Sequence, residues 1–119
     1  MKASGFASPA LGYEEESIDL NRLLIHNPSA TIFGRLDSND MAGLGLPMGS
    51  ILIIDRSKAP AANSFVMLRH EGQFYCRLLI KKNGRTAFFN GKEEFYPAGD
   101  ETQIIGTITA SVIIYDNAH

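Results

Sequence analysis

The chain of 119 residues contains only one cysteine, Cys76. A lone cysteine excludes a disulfide within the chain, and this favours the reducing environment of the cytoplasm. No apolar run approaches the ~20 residues that a membrane-spanning helix requires. Residues 1–10 also lack the apolar stretch of a secretory signal peptide. We therefore expect a cytoplasmic protein that has no membrane association.

The chain also lacks an excess of basic residues, because 11 lysines and arginines stand against 13 aspartates and glutamates. The formal net charge of −2 provides no positive field of the kind that supports non-specific binding to nucleic acid. We expect no direct sequence-specific binding to DNA. If the protein works on DNA, it does so through another protein.

Signatures of metal and cofactor sites are missing as well. The Gly43-Leu44-Gly45 stretch lacks the preceding strand and the third glycine of a phosphate-binding loop. None of the three histidines stands at a short metal-ligand spacing from another or from Cys76; they are His26, His70 and His119. We predict neither a metal site nor a cofactor. Cys76 alternates with apolar neighbours, so it is predicted to pack inward as a small hydrophobic residue.

The composition that is present indicates one globular domain behind a short arm. Hydrophobic residues make up 45% of the chain and charged residues 20%, which is an ordinary globular balance. Residues 1–16 combine glycine, proline and glutamate without periodicity, so we interpret them as a flexible N-terminal arm. Residues 17–119 then form a single domain of a common size.

A short helix is predicted at the start of this domain. Ser17 is the candidate N-cap, and Asp19 would lie in the first turn, where a carboxylate favours the helix dipole. Apolar residues then recur at helical spacing at Leu20, Leu23 and Leu24. Pro28 disfavours the helical conformation at Asn27 and ends the pattern. The expected helix has about two to three turns.

The remaining signals indicate strands. Residues 51–54 form an apolar, largely β-branched run that is predicted to be buried on both faces. Glu71-Gly72 and Asn83-Gly84 are typical of tight hairpin turns. Strands are predicted at residues 30–36, 51–54, 65–69, 74–80 and 86–89. Short strands with close turns predict a mainly β fold, either a folded-over antiparallel sheet or a small barrel.

The final strand carries the clearest alternation in the sequence. One face is predicted to hold Ile104, Gly106, Ile108, Ala110, Val112 and Ile114. The other face is predicted to be polar, with Thr107, Thr109 and Ser111. We expect this strand to be amphipathic, with the two sets on opposite faces.

Three parts of the chain together resemble a known family. The first comprises residues 5–10 (GFASPA), 19–25 (DLNRLLI) and 28–31 (PSAT). The second comprises residues 40–46 (DMAGLGL) and 49–55 (GSILIID), and the third residues 72–78 (GQFYCRL). They resemble the self-cleaving C-terminal domain of the LexA/UmuD family, a peptidase S24-type domain. The resemblance runs from about Ser4 to nearly the C-terminus, and it implies that family's folded-over β fold.

The resemblance implies a Ser–Lys dyad in which a neutral lysine takes the proton of a serine nucleophile. The family's Gly-Asp-Ser-Met motif matches Ser38-Asn39-Asp40-Met41 here, so Asp40 occupies the nucleophile position. The family's lysine matches Arg77, which keeps its proton and cannot act as a general base. Ser38 would share a face with Asp40 on an extended segment, yet it would also meet Arg77. We therefore expect no catalytic residues.

The two replacements are a matched acid and base. If the fold is kept, Asp40 and Arg77 should meet as a bidentate ion pair in the former active site; the alternative is two unrelated exposed charges. The family's cleavage point falls just before the residue that matches Gly5, and only Met1 to Ser4 precede it here. Ser4 and Gly5 thus form a vestigial cleavage region, and the chain resembles the processed form.

The resemblance implies a homodimer that binds a Y-family, UmuC-like translesion polymerase as an accessory subunit, with a RecA filament as a further candidate partner. An alternative is a regulatory or decoy module that forms mixed dimers with an active relative. A third is an active self-peptidase, against which the dyad positions argue. The final strand, Phe88-Phe89 and Phe95-Tyr96 are candidate interface elements, and ordinary core packing is the alternative for these aromatic residues.

Overall fold

The computed structural model describes residues 17–116, so the predicted arm at 1–16, with Ser4 and Gly5, and His119 lie outside the described residues. The single α-helix of the described part is α1 (Leu20–Leu24). The strands are β1 (Thr31–Arg35), β2 (Ile51–Asp55), β3 (Phe65–His70), β4 (Gln73–Lys82), β5 (Arg85–Phe89), β6 (Glu94–Phe95) and β7 (Thr102–Val112). No helix within residues 17–116 is long and apolar enough to cross a membrane.

The seven strands form one sheet in the order β1-β2-β7-β3-β4-β5-β6. Every pairing is antiparallel, which confirms the predicted mainly β architecture. The central strand β7 pairs with β2 on one side and with β3 on the other, so it joins the two halves of the sheet. Strands β1 and β6 are the two edges of the sheet in the described part of the chain.

Both predicted hairpin turns are confirmed. Glu71 and Gly72 have φ angles of 51° and 80°, and Asn83 and Gly84 have φ angles of 54° and 78°. A two-residue turn with positive φ at both positions matches the right-handed twist of the flanking strands. The turns fix the registers of the two hairpins, with β3 paired to β4 and β4 to β5.

The predicted helix exists but differs from the expectation in its start and its length. Asp19 is the N-cap, and its carboxylate accepts hydrogen bonds from the backbone N–H groups of Asn21 and Arg22. Ser17 therefore does not cap the helix. The helix has 5 residues, none of them buried. It is shorter than predicted because no packed face supports further turns.

The predicted alternation along β7 is wrong, because two bulges interrupt it. Register shifts opposite Ile53/Ile54 and opposite Met67/Leu68 leave Thr109 and Ile105 as the extra residues of β7. An extra residue reverses the faces of the side chains on either side of it. The predicted single apolar face is therefore divided between the two sides of the sheet, and Ile114 lies beyond the end of the strand.

This reversal distributes β7 between two hydrophobic clusters. Ile108 packs in the first cluster, with Met41, Leu46, Leu52, Ile54 and Cys76. Ile104 packs against the second, which consists of Val66, Leu68, Leu79 and Phe88. Thr107, predicted to lie on the face opposite the apolar residues, is only 3% exposed, and its hydroxyl donates a hydrogen bond to the carbonyl of Lys58. Cys76 packs inward as predicted.

A buried carboxylate ties the N-terminal segment to the sheet. Asp55, the last residue of β2, accepts hydrogen bonds from the Asn27 side chain and from the backbone N–H and hydroxyl of Ser57. These hydrogen bonds, led by that from the Ser57 hydroxyl, lower the pKa of Asp55 to about 2. The carboxylate therefore stays charged at neutral pH, where it fixes the chain just before β1.

Candidate functional site

The candidate site begins with the loop between β1 and β2, which carries Asp40. Met41 is 1% exposed and anchors the loop in the first hydrophobic cluster. The side-chain oxygen of Asn39 accepts a hydrogen bond from the backbone N–H of Met48, which ties the two ends of the loop together. Gly45 closes the intervening 3₁₀ turn with a φ of 90°. Asp40 is thus an exposed carboxylate on a well-anchored loop.

Arg77 approaches this loop from the middle of β4. Its side chain is 17% exposed, and one terminal nitrogen donates a 2.8 Å hydrogen bond to the carbonyl of Cys76. The guanidinium also lies over the ring of Tyr75, 5.1 Å from the ring centre. Such stacking suits the flat, delocalised charge of arginine.

Asp40 and Arg77 are close together in the structure. The Nη2 atom of Arg77 lies 3.7 Å from Oδ2 of Asp40, whose side chain is 54% exposed. This distance allows an ionic contact but exceeds the ~2.7–3.2 Å of a hydrogen bond. The geometry therefore differs from the bidentate contact expected from the sequence. A pair this exposed contributes about 0–1 kcal/mol to stability.

Ser38 and Cys76 are the other candidate nucleophiles near this site. The Ser38 hydroxyl accepts a hydrogen bond from the backbone N–H of Asp40, which keeps it in its own loop. Burial of Cys76 raises the pKa of its thiol to about 11, an effect that the nearby charge of Arg77 only partly offsets. The thiol is therefore protonated at neutral pH and a poor nucleophile.

A largely apolar pocket of about 200 Å³ has Arg77 in its wall. Its lining residues are Leu68, His70, Tyr75, Arg77, Phe88 and Phe95. Phe88 is buried in the second cluster, so it belongs to the core, whereas Phe95 is 38% exposed. This pocket was not predicted from the sequence, because its walls come from four strands. The alternation that places Tyr75 and Arg77 on one face of β4 was the available signal.

The ring of His70 closes one side of the pocket. It meets the Phe95 ring edge-on at 4.7 Å between centres, and its Nδ1 is hydrogen-bonded to the Thr102 hydroxyl at 2.7 Å. Among residues 17–116, no three histidine, cysteine, aspartate or glutamate side chains are grouped closely enough to hold a metal ion. The chemistry that this site offers is thus a guanidinium beside aromatic and aliphatic walls.

A second feature is an exposed apolar surface at the end of β7, which we call the terminal patch. It consists of Met48, Ile113, Ile114 and Tyr115, which are 56%, 39%, 48% and 86% exposed. Met48, Ile113 and Ile114 line a common surface depression. Contiguous exposed apolar side chains are typical of protein interfaces. The sequence had indicated the final strand as an interface, but not the contribution of the loop at Met48.

Comparison with known proteins gives a consistent result. Residues 1–109 match the family model described as Peptidase S24-like. The chain is 34% identical over 111 residues to Protein SamA of Salmonella typhimurium, a match that covers 92% of this chain and 78% of the relative. It is 33% identical over 110 residues to Protein ImpA of Escherichia coli, with 89% and 74% covered. Protein MucA of Escherichia coli is 30% identical over 115 residues, with 93% and 79% covered.

The chain therefore belongs to the Peptidase S24-like family, as a UmuD-like member. This membership agrees with the antiparallel fold and supports a role in SOS mutagenesis. Asp40 and Arg77 are thus neighbours in a fold whose family includes active peptidases.

Proposed function

We propose that this chain is a catalytically inactive UmuD-like subunit that acts by binding other proteins in the cytoplasm. The observation that carries this proposal is the contact between Asp40 and Arg77 at the positions that the resemblance assigns to nucleophile and base. A guanidinium keeps its proton under all conditions in which the protein is folded, so it cannot activate a hydroxyl. The inaccessible thiol of Cys76 supplies no substitute.

The binding partner in this proposal is a Y-family, UmuC-like translesion polymerase, to which a homodimer of the chain would be an accessory subunit. The terminal patch supports a dimer, because removing the large apolar side chains at the end of β7 from water lowers the free energy. Ile114 and Tyr115 would be covered by the second copy. A RecA filament remains a further candidate partner.

The polymerase role is tested by co-expressing the chain with a translesion polymerase from the same cell, followed by purification and gel filtration. We expect a stable complex that contains two copies of this chain. Ile114→Glu should prevent dimer formation, because it places a charge in the patch. Phe74→Glu is the matched control, since Phe74 is equally apolar and 63% exposed but lies near the β3–β4 turn. A folded dimer that never co-purifies with polymerase would contradict the accessory role.

The loss of catalysis is tested separately, by incubating the chain at alkaline pH and following its mass. An active relative with an intact Ser–Lys dyad serves as the positive control. We expect no cleavage of this chain, and none of a peptide that the relative cuts. Cleavage that Arg77→Met abolishes would refute the inactive assignment.

A further inference from the structure

The guanidinium of Arg77 retains hydrogen-bonding capacity that the described protein groups do not use. A guanidinium has five N–H donors. One terminal nitrogen donates to the carbonyl of Cys76 at 2.8 Å, and the other lies 3.7 Å from Asp40, beyond hydrogen-bond distance. The side chain is nevertheless only 17% exposed. A largely covered cation with spare donors is a ready binding group for an anion.

The pocket beside this cation limits what the anion can be attached to. Its apolar walls are Leu68, Tyr75, Phe88 and Phe95, and its volume is about 200 Å³. This is smaller than the ~300–1,000 Å³ of a drug-sized site, so it suits a single ring or one branched aliphatic group. The edge-on contact between His70 and Phe95 gives one wall a defined aromatic surface.

We propose that this pocket binds a carboxylate carried on an apolar group, with the carboxylate on Arg77 and the hydrocarbon against the aromatic walls. Two sources carry this chemistry: the end of a peptide chain with an apolar last residue, and a free aromatic or aliphatic monocarboxylate. A planar guanidinium matches the two oxygens of a carboxylate, and partial burial strengthens that contact. Binding of a carboxylate in this pocket does not depend on whether the chain binds a polymerase.

Asp40 has a defined part in this site. Its carboxylate lies 3.7 Å from the guanidinium and would repel an anion bound there, yet its 54% exposure lets it turn toward solvent. Asp40 therefore weakens binding without blocking the pocket. It follows that Asp40→Asn should bind the carboxylate more tightly than the wild-type chain does.

The test uses matched ligand pairs that differ only in charge. The probes are 3-phenylpropionate with 3-phenylpropionamide, and the peptide acetyl-Ala-Ala-Phe as the free acid and as the amide. Calorimetry and amide chemical shifts of the full chain measure binding. We expect the acid to bind about ten- to a hundredfold more tightly than its amide, because only the acid makes a charge-assisted hydrogen bond. If only one of the two acids binds, the natural ligand is of that kind, either a peptide end or a free monocarboxylate. Binding of either acid supports the proposal.

Variants complete the experiment. Arg77→Met should abolish the difference between acid and amide, and Arg69→Met should keep it, since Arg69 bonds Gln103 away from the pocket. Asp40→Asn should tighten binding of the acid several-fold. Thermal melts establish that each variant folds. If Arg77→Met does not fold, the ligand pairs with the wild-type chain and with Asp40→Asn still test the proposal. Equal binding of acid and amide, no binding of either acid at millimolar concentration, or weaker binding by Asp40→Asn would overturn the proposal.

Discussion

Replacing Gly106 with alanine tests how β7 fits into the sheet. A Cβ atom at this position would lie 2.7 Å from Cγ2 of Ile54, 3.0 Å from the carbonyl oxygen of Asp55 and 3.2 Å from Cα of Arg56. Two of these atoms belong to the backbone, so a change of rotamer cannot remove the overlap. The neighbouring strand β2 must move away from β7 to admit the methyl group.

The expected cost follows from this geometry. Over-packing of a tightly packed site destabilises the fold by roughly 1–3 kcal/mol. Alanine also restricts the unfolded chain more than glycine does, and this effect stabilises the fold by about 0.4–1 kcal/mol. We expect Gly106→Ala to lower the free energy of unfolding by about 1–2 kcal/mol. The melting temperature should fall by roughly 4–8 °C for each kcal/mol lost in a domain of about this size. Urea unfolding followed by circular dichroism measures the change directly.

Two other glycines are controls for this prediction. A Cβ at Gly43 would meet nothing within 4 Å, and one at Gly34 would make ordinary contacts of 3.4 Å and 3.5 Å with Ile54 and Met67. We expect Gly43→Ala to leave the urea midpoint unchanged or slightly raised, and Gly34→Ala to change it less than Gly106→Ala does. If Gly106→Ala and Gly43→Ala unfold at the same urea concentration, the steric argument for β7 is refuted.

Three further predictions address the core, the charged pair and acid stability. Phe88→Ala should lower the free energy of unfolding by about 3–5 kcal/mol in urea unfolding, because it leaves a cavity in the second cluster. A loss below ~1 kcal/mol would contradict the assignment of Phe88 to the core. A double-mutant cycle of Asp40→Ala and Arg77→Ala should give a coupling energy below about 1 kcal/mol, and a larger value would mean a tighter pair than the 3.7 Å contact. The pKa of Asp55 is lowered from 3.8 to about 2, so its stabilising effect is present above pH ~4 and is lost as the pH falls toward 2. Asp55→Asn should therefore flatten the fall in melting temperature across that window, and an unchanged pH profile would show that the hydrogen bonds of Asp55 to Asn27 and Ser57 do not stabilise the fold.

The features that the sequence predicted correctly depend on local chemistry. Asn83-Gly84 specifies its turn because both residues adopt positive φ at low cost, whatever surrounds them. The buried run of β2 was predicted for a similar reason, since apolar residues at 51–54 leave no polar face.

The features that were mispredicted depend on distant partners. The bulges at Ile105 and Thr109 arise because β7 must pair with two neighbouring strands at once. The sequence of β7 alone does not specify those two registers. The predicted N-cap was Ser17, whereas the structure has Asp19. Both residue types are good caps, so the choice between them depends on where the chain meets the sheet. The pocket beside Arg77 likewise exists only after β3, β4, β5 and β6 have paired.

The central position of β7 has a consequence for how the protein is made. Strand β2 comes early in the described part of the chain, yet its second partner, β7, comes after all the other described strands and is synthesised later than they are. Until β7 is added, no strand pairing links the β1–β2 hairpin to the β3–β6 hairpins, and each exposes an apolar strand edge. Long-range pairings of this kind slow folding and leave intermediates prone to aggregate. We infer that the domain completes its folding only after β7 has been synthesised.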